Sequence, residues 1–130
     1  MPNVESFKVL TTLAAQRVVS IASDTAHTVV YPEDKYRSMI GITLNTVLDT
    51  VCSIPVQTDG KAYLYFNDTV GAGQLVSADT SGRGVPVTLS NTTTSMTFAV
   101  AYIGTLIGPK ADATGTIAEV LIQPGIARGL

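Results

Sequence analysis

Residues 18–25 read Val-Val-Ser-Ile-Ala-Ser-Asp-Thr, and residues 75–80 read Leu-Val-Ser-Ala-Asp-Thr. In both places an apolar, β-branched run ends in Ser, Asp and Thr, residue types that favour turns. Further along, Met39–Leu44 (Met-Ile-Gly-Ile-Thr-Leu) matches Tyr102–Leu106 (Tyr-Ile-Gly-Thr-Leu) in the same order. The sequence therefore predicts two related β-rich halves, roughly residues 17–66 and 70–122. The alternative is a chance similarity among short runs rich in Val, Thr and Ser.

The rest of the chain has the same β character. Strand-like runs recur between turn residues, and Asp59-Gly60 between two such runs favours a hairpin. Gly inside each Ile-Gly strand predicts a close backbone approach or a bulge. The unbroken apolar run Val120–Ile122 is typical of a strand covered on both faces. The helical signal is weak, and Thr43–Asp49 would be a short helix at most. We expect an all-β fold, a small barrel or sandwich with little helix.

The length of 130 residues suits one domain. We place this domain at residues 11–130, because the first ten residues match neither half. Within residues 1–10, only Phe7 and Val9 offer apolar anchors before Leu10. We expect an N-terminal arm that orders on a neighbouring subunit by strand addition or groove contact.

Composition excludes several classes of function. Charged residues are 14% of the chain and its net charge is −2, so no basic face for nucleic acid is expected. A single Cys and a single His rule out an intrachain disulfide and a Cys- or His-based metal site, and we expect no cofactor. The chain has neither a secretory signal nor an apolar run long enough for a membrane helix. We therefore expect synthesis in a cytoplasm, with retention there or release by lysis, and no membrane partner.

Catalytic chemistry is poorly supported. Ser20, Asp24 and His27 are near one another in sequence, but no Gly-x-Ser-x-Gly context accompanies them. Cys52 lies in an apolar run and is expected to be a small buried residue. Asp68 and Asp79 lack the dense Asp/Asn/Gly spacing of a calcium loop. The sequence predicts that this protein is not an enzyme.

The low charge has two interpretations that composition does not separate. Thr and Ser together supply 27 residues, which would give an ordinary β-domain a hydroxyl-rich solvent face. They would equally suit a subunit whose surface is largely covered by other protein, since charge is depleted at the centre of such contacts.

The second half carries a family resemblance. The segment Val70–Val87, with its glycines and Asp79, is followed by Ala101–Leu106 and then by the closing run Asp112–Ile122. This succession resembles the small capsid decoration proteins of bacteriophages, also called cement or head-stabilisation proteins. The Thr-rich stretch Asn91–Ser95 departs from the pattern.

The resemblance implies a structural virion protein on the capsid surface, with the major capsid protein as its partner. It would bind at junctions between capsid subunits, as a homotrimer, and stabilise the head against internal DNA pressure. Loops and the arm are the expected contacts, because loops at one end of a β-domain are free to vary for binding. The candidate contact residues are Val4, Phe7, Val9, Gly71, Gly73, Gly82, Gly84, Asn91, Thr92, Thr93 and Thr94.

Three other functions stay open. A tail-tube or head-completion protein would have the same composition. A carbohydrate-binding β-sandwich would fit the strands, although without Trp only five Tyr could stack on a sugar. A small esterase would rest on His27 alone.

Overall fold

The computed structural model describes residues 3–9, 11–22, 27–33, 38–47, 53–87, 99–111 and 115–128. Within these ranges the protein has strands and no helix, which confirms the all-β prediction. The expected short helix is not formed over its described part, where Thr43 ends a strand and 44–47 is non-helical. The strands are β1 (Val4–Val9), β2 (Val18–Ile21), β3 (Thr28–Val30), β4 (Gly41–Thr43), β5 (Ser53–Gln57), β6 (Gly60–Tyr65), β7 (Leu75–Ala78), β8 (Gly84–Pro86), β9 (Ala99–Leu106) and β10 (Ile117–Arg128).

Strands β1 to β5 form a closed barrel with the order β1-β3-β2-β4-β5, which we call the first barrel. β1 pairs with β5 in antiparallel fashion over residues 4–8, and with β3 in parallel fashion at Lys8 and Val9. β1 thus closes the barrel of its own chain. The arm expected over residues 1–10 is not formed by Val4–Val9, because β5 and β3 already use both edges of this strand.

Strands β6 to β10 form a five-stranded sheet with the order β6-β10-β9-β7-β8. Its two outer strands meet where Phe66, the residue after β6, makes a parallel bridge to Gly84 in β8. The sheet therefore curls back on itself, and we call it the second barrel. The segment Asp59-Gly60 joins the two barrels, with Gly60 at a φ of 78°. The prediction of a hairpin there is wrong, because β5 pairs within the first barrel and β6 within the second, and the two strands do not pair with each other.

The two barrels have one topology. Going around each of them, β1-β5-β4-β2-β3 corresponds to β6-β10-β9-β7-β8, and the parallel contact closes the ring in both. The register also corresponds, since Val19 pairs with Gly41 and Val76 pairs with Gly104. These are the residues that the sequence repeat matched. The relation between two halves is as predicted, but their bounds of 17–66 and 70–122 are wrong. The first half begins with β1, and β6, which those bounds placed in the first half, is the leading strand of the second because it pairs with β10.

Connections outside the strands repeat as well. Leu13 and Val47 exchange two backbone hydrogen bonds of 2.9 and 2.7 Å. Val70 and Ala111 exchange two of 3.0 and 2.9 Å at the corresponding place. Each pair is an antiparallel bridge between the segment before the second strand and the segment after the fourth strand of its barrel. The duplication therefore includes the connections that position the strands.

Left-handed backbone also repeats at matching sites. Gln16 has a φ of 61°, and its counterpart Gly73 has a φ of 83°. The Gln16 N–H donates to the carbonyl of Thr43, as the Gly73 N–H donates to the carbonyl of Leu106. In the same way His27, with a φ of 56°, precedes β3 where Gly82, with a φ of 74°, precedes β8. The fold requires these conformations, and the second barrel fills both sites with glycine.

The two Ile-Gly strands contain their glycines for the reason expected from sequence. A Cβ on Gly41 would collide with the backbone oxygen of Gln57, and a Cβ on Gly104 would collide with that of Leu121. The neighbouring strand passes too close for any side chain at either position.

The two barrels have two core clusters, and the second cluster reaches onto the outside of the first barrel. The interior of the first barrel is lined by Val9, Leu13, Val19, Val29, Ile54 and Val56. A larger cluster fills the second barrel and includes three residues from the outside of the first one, namely Val18, Met39 and Ile42. Two backbone hydrogen bonds cross the junction, from Val18 N–H to Gly82 O at 2.7 Å and from Tyr65 N–H to Gln16 O at 3.0 Å. The second barrel is therefore packed against the wall of the first.

Candidate functional site: an apolar outer face

The catalytic set considered from sequence is not assembled in the described part of the chain. Ser20 is buried, with 2% of its surface exposed, and its hydroxyl makes no hydrogen bond there. His27 is exposed, at its left-handed position before β3. Asp24 and Cys52 lie outside the described residues. A buried hydroxyl cannot reach a substrate, so the structure offers no support for a Ser–His pair here.

Asp79 is committed to its own loop. One carboxylate oxygen accepts hydrogen bonds from the N–H groups of Ser81 and Arg83, at 2.9 and 3.0 Å. The other accepts from the Asn67 side-chain amide and the Arg83 guanidinium, each at 3.0 Å. Four donors saturate this carboxylate, so Asp79 holds the turn into β8. Among the described residues no group of three His, Cys, Asp or Glu could hold a metal ion.

Four of the residues expected to make contacts with other subunits pack within their own chain. Phe7 and Val9 belong to the core of the first barrel. Gly82 faces the first barrel, where a Cβ would lie 2.6 Å from the Val18 carbonyl oxygen. Gly84 is buried under the ring of Phe66. For these four residues the predicted contact with another subunit is replaced by packing within the chain, which their small size or apolar character serves.

The remaining candidate contact residues are exposed, half-buried or outside the described residues. Val4 is exposed on the outside of β1, with 49% of its surface accessible. Gly73 is exposed at its turn, and nothing lies within 4 Å of where its Cβ would be. Gly71 is half-buried, and its N–H donates to the side chain of Gln74. The four candidates in 91–94 (Asn91, Thr92, Thr93 and Thr94) lie outside the described residues. Their roles stay predictions.

The outer face of the second barrel carries exposed large apolar side chains that the sequence did not predict. Tyr63 on β6 is 58% exposed, Ile117 on β10 is 48% exposed, and Ile107 after β9 is 40% exposed. These residues lie together, because Tyr63 pairs with Glu119 and the Ile107 N–H donates to the carbonyl of Glu119. We call Tyr63, Ile107 and Ile117 the apolar face. A cluster of exposed large apolar side chains is typical of a surface that contacts other protein.

The first barrel shows that the fold does not require this apolar character. Ser6 pairs with Pro55 on β1–β5 at the position where Tyr63 pairs with Glu119. Ser53 is the counterpart of Ile117, since Lys8 pairs with Ser53 as Tyr65 pairs with Ile117. Both serines are exposed. Leu44 corresponds to Ile107, since its N–H donates to the carbonyl of Pro55, and it is equally exposed at 40%. The two barrels thus differ at two of the three positions, where the second barrel has Tyr63 and Ile117.

The sequence carries one signal of this face. The run Val120–Ile122 was interpreted as a strand covered on both sides, and Leu121 is indeed half-buried on the outer side between two buried residues. The sequence did not predict the exposure of Tyr63, Ile107 and Ile117, because only the sheet topology shows which face of their strands is left uncovered.

Small-molecule chemistry is not favoured by the grooves in the described part of the chain. One groove of 280 Å³ is lined by Gln74, Leu75, Pro86, Val87 and Ala127, which include no charged or nucleophilic side chain. Another of 190 Å³ is lined by Ser38, Met39, Pro124, Gly125 and Ile126. Both are below the roughly 300–1,000 Å³ of common ligand sites. Among the described residues there is also no helix that is long and apolar enough to span a membrane.

Comparison with known proteins identifies a shared fold. No family model matches the sequence, and no curated protein matches it either. Among solved structures, the N base of the head fiber gp8.5 from bacteriophage phi29 is similar, with a TM-score of 0.66. The match covers 95% of both chains at 10% sequence identity. Both chains therefore share one fold over nearly their whole length.

Proposed function

We propose that this protein is a structural component of a phage head, which binds the outer surface of the capsid and stabilises it. The observation that carries this proposal is the likeness to the phi29 head fiber base, which extends over 95% of both chains rather than over one barrel. The decoration-protein pattern of residues 70–122 supports the same class of function. In this proposal the protein is not an enzyme and its site is a surface.

The surface chemistry supports protein contact. Charged residues are 14% of the chain, and the second barrel exposes Tyr63, Ile107 and Ile117 together. Aromatic and large aliphatic side chains contribute most of the free energy of protein–protein binding when they become buried. Hydroxyl-rich surface around them can hydrogen-bond without the desolvation cost of charges.

The proposed partners are the major capsid protein and two further copies of this chain. A homotrimer at a junction between capsid subunits would let several weak contacts act together, which raises the affinity for the head well above that of one chain. The resulting clamp across subunit boundaries would resist the outward pressure of packaged DNA.

Binding to heads is the direct test. Purified protein is mixed with DNA-filled heads that lack it, and the heads are sedimented and analysed for bound protein. We expect saturable binding at a fixed copy number, and release of DNA at a higher temperature from decorated heads than from bare ones. Binding to tails or to empty connectors instead of heads would favour the tail-tube or head-completion alternative. Equal release temperatures would refute the stabilising role.

A further inference from the structure

The junction between the two barrels is built on a row of three residues of the first barrel. Val18 pairs with Ile42, and Ile42 pairs with Gln57, across β2, β4 and β5. All three are buried, with exposures of 0%, 0% and 6%. We call them the junction row.

The second barrel covers the junction row. Val18 and Ile42 belong to the core cluster that fills the second barrel. The Gln57 amide donates to the carbonyls of Asp59, in the connection between the barrels, and of Lys61 in β6, at 2.8 and 2.6 Å. The outside of β2, β4 and β5 in this fold is thus a surface onto which another barrel of the same fold packs.

The second barrel has the same row at the same register. Leu75 pairs with Thr105, and Thr105 pairs with Leu121, across β7, β9 and β10. We call these residues the outer row. Leu75 is 37% exposed where its counterpart Val18 is fully buried, and Thr105 and Leu121 are half-buried.

The chemistry of the outer row suits burial under protein. Its third residue is Leu121 where the junction row has Gln57, and its middle residue is Thr105 where the junction row has Ile42. Each row therefore has two apolar residues and one polar residue. The apolar face lies beside the outer row, with Ile117 on β10 at 48% exposure and Tyr63 on β6 at 58% exposure. Glu119 lies within the apolar face, between Tyr63 and Ile107, and Lys61 pairs with Leu121 beside it. The two charges are opposite, so no net charge opposes the approach of a chain whose own net charge is only −2.

We infer that the outer row and the apolar face are the site at which a second copy of this chain packs one of its barrels. The inference rests on the trimer of the proposed function and names the surface through which its copies meet. We name a second copy as the occupant because, within one chain, the junction row of the first barrel is already covered by a barrel of this fold. Such a contact joins different surfaces of the two copies, and repeating it closes a ring when the rotation allows closure.

The test uses substitutions that copy the first barrel into the second. Tyr63→Ser reproduces Ser6, Ile117→Ser reproduces Ser53, and Leu121→Gln reproduces Gln57. The first barrel folds with these residues, so the triple variant is compatible with the topology. The full chain is analysed by sedimentation velocity over a wide concentration range, with thermal unfolding to confirm the fold.

The wild-type chain is expected to be an oligomer, and the triple variant to associate at least about tenfold more weakly, as expected when central apolar contacts are removed. Ser6→Arg and Ser53→Arg are matched controls that add charge at the same positions of the first barrel, and they should leave the mass unchanged. Leu75→Arg is an independent variant that adds a charge within the outer row. It should shift the mass to that of a monomer.

Three results would overturn the inference: a monomeric wild-type chain, an unchanged mass of the folded triple variant, or dissociation by the controls but not by Leu75→Arg. Head binding is measured separately on the same proteins. An oligomer that uses another surface yet binds heads would refute the inference and leave the proposed function intact. An oligomer that depends on the outer row but binds no head would support the inference and refute the proposed function.

Discussion

Phe66 lies directly over Gly84, and two carbons of its ring are 2.7 Å from where a Cβ of Gly84 would stand. This pair closes the second barrel, as Val9 and Val29 close the first. One barrel uses two residues of medium size, and the other uses a large ring over a glycine. The same space is filled in both, because a closed barrel has little tolerance for a void or for excess volume.

The first prediction follows from this difference in side-chain volume between the two closing pairs. Gly84→Ala should destabilise the protein by about 1–3 kcal/mol, because the ring of Phe66 must shift. In a Phe66→Val background the added cost of Gly84→Ala should be smaller by at least about 1 kcal/mol. Urea unfolding of the four proteins in the cycle measures this coupling. Additive effects would mean that the ring and the glycine do not compete for one space.

The second prediction separates backbone strain from crowding at two left-handed glycines. Gly73 and Gly82 both have positive φ, but space is open at Gly73 while the Val18 oxygen and the Tyr31 ring lie 2.6 and 2.8 Å from a Cβ of Gly82. Gly73→Ala should therefore cost about 1 kcal/mol from conformation alone. Gly82→Ala should cost about 2–4 kcal/mol, because overpacking is added. Equal costs from denaturant unfolding would contradict the crowding at the barrel junction.

The third prediction concerns the loop that Asp79 holds. Asp79→Ala removes an acceptor for four donors and should cost about 1–2 kcal/mol, discounted for the partial exposure of the carboxylate. Asp68→Ala is the matched control, because Asp68 is exposed and its carboxylate bonds only the neighbouring Thr69 N–H among its described hydrogen bonds. This control should change stability by less than about 0.5 kcal/mol. Thermal unfolding compares the two variants, and a larger loss for Asp68→Ala would refute the role given to Asp79.

The fourth prediction replaces the expectation for the N-terminal segment. Deletion of residues 1–6 removes three of the paired positions between β1 and β5, together with the hydrogen bonds from Asn3 to Asp59. The first barrel should lose about 2 kcal/mol of stability, which corresponds to a drop in Tm of roughly 5–10 °C. A free arm would instead leave Tm unchanged, so calorimetry of the truncated chain decides between them.

Sequence alone predicted the β class, a break between strands at Gly60 and the relation between two halves, because turn residues and β-branched runs act locally. It did not show that the strands on either side of Gly60 belong to different barrels. Val19 and Val76 could be matched since both face an interior that tolerates few residue types. The place of β1 could not be found by matching, because its outer residues Ser6 and Lys8 differ from Tyr63 and Tyr65 in β6.

Only the tertiary structure decided which strands close each barrel, which outer wall is covered and which is open. Val18 and Leu75 are both apolar residues in equivalent strands, and nothing local distinguishes them. One is fully buried and the other 37% exposed because the second barrel packs on the first and not the reverse. Burial on an outer face is set by contacts between residues far apart in the chain, and a local sequence pattern does not record those contacts.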